Sequence, residues 1–175
     1  DLRKRKLNIL EIGIGGYEDP NSGGESLLMW AEYFKNSKIL GADLFEKRIK
    51  LPKRVKTIKL DQSNPKELEN SGSSRGGFDI IIDDGSHVSS HVILTFKTLW
   101  KYLNNDGLYI IEDTQTSYWT KLGGYDTAVE KRATTFFASL TDSLNYKEFL
   151  SCYNPSIIEK ELEFIHFYHN IIILK

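Results

Sequence analysis

Cysteine is almost absent: Cys152 is the only one among 175 residues. One thiol excludes an intramolecular disulfide and any cysteine-based zinc cluster, and it fits a reducing, cytoplasmic setting. Long hydrophobic runs are missing as well. The longest apolar stretches reach about five residues, against the roughly 20 that a spanning helix requires, so no membrane span is expected. Neither charge is in surplus. Lys plus Arg total 23 and Asp plus Glu total 24, a net charge of −1, and the isoelectric point is near 6.5. A chain built to hold nucleic-acid phosphates would be markedly basic, so no nucleic-acid partner is expected. No signal peptide is visible, because Asp1-Leu-Arg-Lys-Arg-Lys6 is charged and runs straight into an apolar strand. An initiator Met is lacking too, and the chain reads as a processed or trimmed piece of something longer. Within it, residues 1–175 read as a single domain.

What is present is an alternation of strand-length apolar runs with helical spacing. Leu7–Ile12 is the first strand, stopped by Gly13-Ile-Gly-Gly16 and followed by a turn-rich insert over Tyr17–Gly24. Glu25–Asn36 reads as a helix, with Leu27, Trp30, Ala31 and Phe34 on one face. Ile39–Asp43 and Val55–Leu60 are strands two and three. Ser71–Gly77 is flexible punctuation before strand four at Phe78–Ile82. One helical stripe runs between Ser86 and Asn104, Asp106-Gly107 turns the chain, and Leu108–Ile111 is strand five. A further helix is expected over roughly Ala128 to Leu144. The tail, Glu161–Ile165 and Asn170–Leu174, suits an antiparallel hairpin. Five strands with helical crossovers imply a parallel sheet covered on both faces. The expected fold is therefore α/β: a doubly wound, Rossmann-like, mostly parallel seven-stranded sheet with a C-terminal antiparallel hairpin.

Ligands of such sheets bind beyond the carboxyl ends of the strands, so the residues that follow each strand carry the chemistry. Strand one leads into Glu11-Ile-Gly13-Ile-Gly15-Gly16. The third glycine of a dinucleotide fingerprint would fall at Glu18, which argues against a nicotinamide-dependent oxidoreductase. Glu11 would repel a pyrophosphate and suits ammonium or sulfonium charge, both of which S-adenosylmethionine carries. Asp43, ending strand two, is placed for ribose hydroxyls, and Asp61-Gln62, ending strand three, for an adenine edge. Each acid could instead cap a helix or stay solvated.

Strand four runs into Asp83-Asp84-Gly-Ser-His87 and strand five into Glu112-Asp113. Parallel neighbours would bring these tips to about 5 Å. Facing carboxylates are costly unless a cation lies between them or one is protonated. A hard divalent ion, Mg²⁺, resolves the conflict, and His87 is placed to act as general base beside it. Capping by Asp84, Asp113 or Ser86 is the competing reading, and Asp83 either faces the cofactor or caps. His91, at i+4 from His87, imitates a metal pair, while His166 and His169 read as structural. Seven Lys or Arg between Lys47 and Lys59 read as a solvated edge. Tyr118-Trp119 serves either as a wall for a sugar ring or as core.

Taken together, Leu10–Gly16, Asp43, Ile82–His87, Ile111–Trp119 and Ile165–Asn170 resemble class I S-adenosylmethionine methyltransferases. Within that class they are similar to the metal-dependent sugar O-methyltransferases of macrolide tailoring, over nearly the whole chain from Asn8 to Lys175. The resemblance implies Asp84 and Asp113 as magnesium ligands, with Glu112 a third candidate, and His87 as catalytic base. It implies Glu11, Gly13, Gly15, Tyr17, Asp43, Asp61, Gln62 and Asp83 around the cofactor, and a small-molecule glycoside as acceptor. Enzymes of this type often carry residues before the first strand that form a lid or an oligomer contact, and here there are almost none. That leaves a homo-oligomer open. Methylation of a cell-surface polysaccharide sugar and a non-catalytic cofactor-binding subunit are the other readings.

Overall fold

The computed structural model describes residues 2–119, 131–149 and 153–175. Seven strands form one sheet: β1 (Asn8–Ile12), β2 (Lys38–Asp43), β3 (Val55–Lys59), β4 (Phe78–Asp83), β5 (Leu103–Ile111), β6 (Ile165–Tyr168) and β7 (Ile171–Leu174). Their order is β3-β2-β1-β4-β5-β7-β6. β1 to β5 pair in parallel, whereas β7 runs antiparallel to both β5 and β6. The mostly parallel sheet with its antiparallel tail is the fold the alternation of elements implies.

The period of two along each strand sorts the core into two layers. On one face Ile9, Ile39, Ile80 and Ile82 pack against Leu27, Ala31 and Phe34, from α1 (Glu25–Tyr33) and the residue after it. On the other, Leu10, Ile12, Ile81, Tyr109 and Ile111 pack against three helices. These are α2 (Pro65–Ser73), α3 (Ser89–Leu99) and α4 (Ala133–Ser139). Phe96 sits at the middle of this second layer, with Trp100, Tyr109 and Phe137 rings all within 5.2 Å of its own.

Several boundaries differ from the sequence reading, each for a local reason. α2 was not expected, and it takes Ser71–Ser73 out of the supposed flexible linker. Its start is signalled by Asn64, whose side chain accepts from Lys66 N, and by Pro65 in the first turn. The helical stripe after Ser86 is regular only from Ser89 to Leu99, then tightens to a 3₁₀ turn over Trp100–Tyr102. Asp106-Gly107 does not separate helix from strand but lies inside β5. Phe78 pairs with Leu103 and Ile80 with Leu108, so the extra residues bulge out, with Asp106 at φ 64°. In the tail, Glu161 ends a short helix, α5 (Ile157–Glu161), opened by a Ser156–Glu159 capping box. The hairpin itself is β6–β7. Of the helix expected over Ala128–Leu144, α4 is the regular part and Asp142–Glu148 is 3₁₀. Residues 128–130 and Cys152 lie outside the described residues. Among the described residues no helix is long and apolar enough to cross a membrane.

Candidate active site

The C-terminal ends of β1 to β4 enclose a cavity of about 400 Å³. Gly13, Gly15, Tyr17, Asp43, Asp61, Gln62, Asp84, His87 and Asp113 all line it. Gly13 is required by close approach: at φ +84° a Cβ there would lie 2.0 Å from Asp84 O, so the β1 turn touches the β4 turn directly. Gly15, also left-handed at φ +72°, is not crowded: a Cβ there would lie 3.9 Å from Gly23 Cα, an ordinary contact. Tyr17 is 87% exposed at the rim. Its loop is held from below by Lys47, which donates to Tyr17 O at 2.5 Å and Asp19 O at 3.2 Å. Lys47 is thus buried, not part of a solvated edge. Arg54 likewise donates to Ala31 O. Asp43 accepts from Ile14 N at 3.2 Å and from Phe45 N at 2.9 Å, which fixes its carboxylate at the cavity wall with lone pairs to spare.

Two of the residues assigned to the cofactor stand behind that wall. Consecutive side chains at the end of a strand point to opposite faces, so Asp83 and Asp84 part company. Asp83 is buried among the α2–α4 layer and accepts from Gln62 Nε2 at 2.6 Å. Burial pushes its carboxyl up to about 7, against the pull of Gln62 and Gly85. Glu11, on the α1 side, is 2% exposed, and its Oε2 has no hydrogen-bond partner. Its carboxyl is raised from an ordinary 4.5 to about 7, chiefly by burial, with the Asp84 and Glu112 charges adding to the effect and Ser26 and Trp30 opposing it.

Asp84 turns the other way, toward Asp113. One ligand atom each from Asp84, His87 and Asp113 lies within 4.8 Å of the others, and His87 Nε2 is 3.7 Å from Asp113 Oδ2. The neighbouring strands that deliver these tips are in register, Asp83 opposite Ile111. Neither acid is used as a helix cap. α3 begins after Val88 without a side-chain cap, and the 3₁₀ turn Thr114–Tyr118 has none from Asp113. His87 and Asp113 are both held at positive φ, 57° and 51°, a strained conformation for non-glycine residues. Thr116 Oγ1 stabilises it, lying 2.7 Å from Asp113 O and 3.2 Å from His87 O, and Gln115 Nε2 donates to Asp113 Oδ1 at 3.1 Å.

The electrostatics favour positive charge at this point. Asp84 is pushed up to about 7 by burial first, then by the charges of Glu112 and Asp113. Glu112 is raised by burial and by Asp113; it stands beside the three-residue cluster, not in it. Burial lowers His87, and the Asp113 charge opposes this. Two acids raised together, Asp84 and Glu112, with Asp84 and Asp113 aimed at one point beside His87, form a donor set suited to a hard divalent ion.

Other candidates resolve plainly. His91 is not part of the cluster: its Nδ1 is 3.0 Å from Ser86 Oγ, and it lines the cavity, as do Leu44, Phe45 and Leu60. Sequence reasoning missed these three apolar residues, although each adjoins a strand-end acid. His166 stacks on Phe164 at 4.4 Å. Tyr118 and Trp119 are 57% and 50% exposed, which rules out the core reading.

No protein-family model matches the chain. It is 43% identical over 151 residues, 86% of its length, to the 8-demethyl-8-α-L-rhamnosyl tetracenomycin-C 2′-O-methyltransferase of Streptomyces olivaceus, covering 40% of that protein. It is 37% identical over 175 residues, 98% of its length, to the mycinamicin VI 2″-O-methyltransferase of Micromonospora griseorubida, covering 44%. The MycE methyltransferase, solved in complex with Mg, SAH and mycinamycin VI, superposes with a TM-score of 0.92 at 35% identity, over 99% of this chain and 45% of that one. The chain thus spans less than half the length of the relatives it matches. By sequence and by architecture, the chain has the class I S-adenosylmethionine-dependent methyltransferase fold and is related to these sugar O-methyltransferases.

Proposed function

We propose that this chain binds S-adenosylmethionine and a magnesium ion and methylates a sugar hydroxyl of a glycosylated natural product. The observation that carries the reading is the convergence of Asp84, His87 and Asp113 side chains within 4.8 Å at the edge of the cavity. The relatives' names support the acceptor class. The cavity walls would hold the nucleoside along Asp43 and Asp61, with Gly13 and Gly15 giving close backbone approach. Glu11 would supply the buried negative charge behind an ammonium or sulfonium. Asp84 and Asp113 would hold the ion, with Glu112 adding charge beside them. When bound, S-adenosylmethionine supplies an activated methyl and Mg²⁺ a Lewis acid that orients a diol and acidifies its hydroxyl.

The chain's own contribution is then positional and basic. His87 accepts the acceptor hydroxyl's proton on a ring nitrogen while the oxygen takes the methyl from the cofactor's sulfur, and burial, which lowers the imidazole's proton affinity, favours its starting as a base. The strained turns at His87 and Asp113 fix base and ligand relative to each other, and alignment of this kind supplies much of a transfer rate. The test is calorimetry with S-adenosylhomocysteine, with and without Mg²⁺, and with NAD as the competing ligand. A panel of glycosides scored for a mass gain of one methylene follows. Binding of NAD in place of S-adenosylhomocysteine would refute the reading.

A further inference from the structure

Gln62 follows β3 at the place where an amide would be expected to read a purine edge, yet both ends of its side chain are already engaged. Nε2 donates to Asp83 Oδ1 at 2.6 Å, and Oε1 accepts from Ser86 N at 2.8 Å. Asp83 Oδ1 accepts in addition from Gly85 N at 3.4 Å. Gly85 packs so closely on this amide that an added Cβ would lie 2.4 Å from Gln62 Oε1. The contacts therefore close a ring through Asp83, Gln62 and Ser86, with Asp84 inside the spanned segment and His87 next along the chain. The amide's orientation is fixed. Turned over, it would set oxygen against the Asp83 carboxylate and N–H against the Ser86 N–H, and such conflicts are expensive in a residue only 6% exposed.

We infer that Gln62 is a positioning residue that clamps the Asp83–Ser86 turn and so holds Asp84 and His87 at the spacing that metal binding and proton transfer require. The inference rests on the proposed function and goes beyond it, because it moves Gln62 from reading the cofactor to supporting the metal and the base. The nucleoside wall keeps Asp61 for the cofactor: it lines the cavity, and the bonds from Ser63 N and Ser63 Oγ both go to its Oδ1.

Gln62→Met tests this, since it keeps length and volume while removing donor and acceptor. Mg²⁺ affinity in the presence of S-adenosylhomocysteine, and kcat at saturating cofactor, should each fall about tenfold or more, the usual loss when a ligand's supporting bond is removed. S-adenosylhomocysteine affinity and the KM for S-adenosylmethionine should stay at the parent value. The opposite split, cofactor affinity lost with Mg²⁺ affinity and kcat retained, overturns the inference, and so does a variant identical to the parent. A thermal melt checks folding. Should the single variant not fold, Gln62→Met combined with Asp83→Leu replaces both bonded side chains by apolar ones and still leaves Ser86 N without its acceptor. That double variant must show the same Mg²⁺ loss, and normal Mg²⁺ affinity in it is again refutation. A parent protein that binds neither S-adenosylhomocysteine nor Mg²⁺ would instead bring down the proposed function, and this inference with it. A parent that binds both, beside an unaffected variant, brings down the inference alone.

Discussion

Replacing Glu11 by Gln should stabilise the ligand-free protein at alkaline pH while weakening its hold on the cofactor. Glu11 is 2% exposed, and one of its oxygens has no partner. Its carboxyl is raised from 4.5 to about 7, mainly by burial. A folded-state pKa above the unfolded value means that the folded chain binds the extra proton. The associated stability is fully present below pH 4.5 and is lost as pH rises through 7. At about 1.4 kcal/mol per unit, the shift corresponds to roughly 3 kcal/mol. Gln carries no titrating proton and escapes this loss. The difference in unfolding free energy between variant and parent should therefore grow by roughly 3 kcal/mol in the variant's favour between pH 4.5 and pH 8. In a chain of this size that is roughly 6–12 °C of melting temperature. The measurement is chemical or thermal unfolding of both proteins across that range with chelator present, so that Mg²⁺ does not compensate the neighbouring acids. Comparing variant with parent at each pH cancels the other titrating groups. A difference that does not change with pH would refute the reasoning, because Glu11 would then not be a buried acid held near its titration point. S-adenosylhomocysteine affinity at pH 8, measured beside it, should fall in the variant.

Three other perturbations separate the roles of the site residues. His87→Ala should lower kcat by about 10²–10⁴, the range for loss of a general base, with S-adenosylhomocysteine affinity unchanged by calorimetry. Chelation should abolish turnover and Mg²⁺ restore it, whereas Zn²⁺ or Ni²⁺ should bind and inhibit. Imidazole suits those ions, and His87 lies in reach of the same point as Asp84 and Asp113, so the base would be captured; full activity with Zn²⁺ would argue against His87 as the base. Gly13→Ala should fail to fold or should misplace Asp84, because its Cβ would meet Asp84 O at 2.0 Å. Gly15→Ala, whose Cβ would meet Gly23 Cα only at an ordinary 3.9 Å, should cost only the roughly 1–2 kcal/mol of a left-handed alanine and act mainly on cofactor affinity, as melting and calorimetry on the pair will distinguish.

Most of the architecture was legible because strand signals here are strong. Ile9, Ile39, Ile80–Ile82 and Tyr109–Ile111 are apolar runs of the length a doubly covered sheet requires, and acids mark where four of them end. What was not legible depended on contacts between distant segments. α2 has low overall hydrophobicity, and only Asn64 and Pro65 announce it. The β5 bulge at Asp106 is set by pairing with β4, which no local pattern reveals. Within the site, the sequence brings Asp84, His87 and Asp113 into consideration through their places after strands four and five. It does not tell that Glu11 and Asp83 lie behind the wall. That follows from which face each side chain takes, and for Asp83 a one-residue change in where the strand ends would reverse the answer. Likewise the amide of Gln62 looks free in sequence, and only the fold reveals that its donor and acceptor are both taken.

The adjacent pair Asp83-Asp84 explains why so many carboxyl groups can be concentrated here without unfolding the chain. Strand alternation sends the two side chains to different surroundings, although the Asp84 charge still helps to raise Asp83. On the Asp83 side Gln62 donates to one oxygen and is itself tied to Ser86, while Oδ2 has no partner and burial pushes the carboxyl up to about 7. On the Asp84 side the neighbours are Glu112 and Asp113, which raise its affinity for a proton. One half of the pair is thus buried behind the cavity wall, and the other lines the cavity beside Asp113. The same asymmetry divides Asp43, whose oxygens both accept backbone N–H groups, from Glu11, whose Oε2 is unpartnered. Asp84 and Glu11 both lie where the proposed ligands carry positive charge, a metal ion at Asp84 and an ammonium or sulfonium at Glu11. Full ionisation of these acids, and with it the site's affinity for cations, should therefore come with ligand binding and not with folding. Metal and cofactor binding near pH 7 should accordingly release protons, which calorimetry in buffers of different ionisation enthalpy will detect.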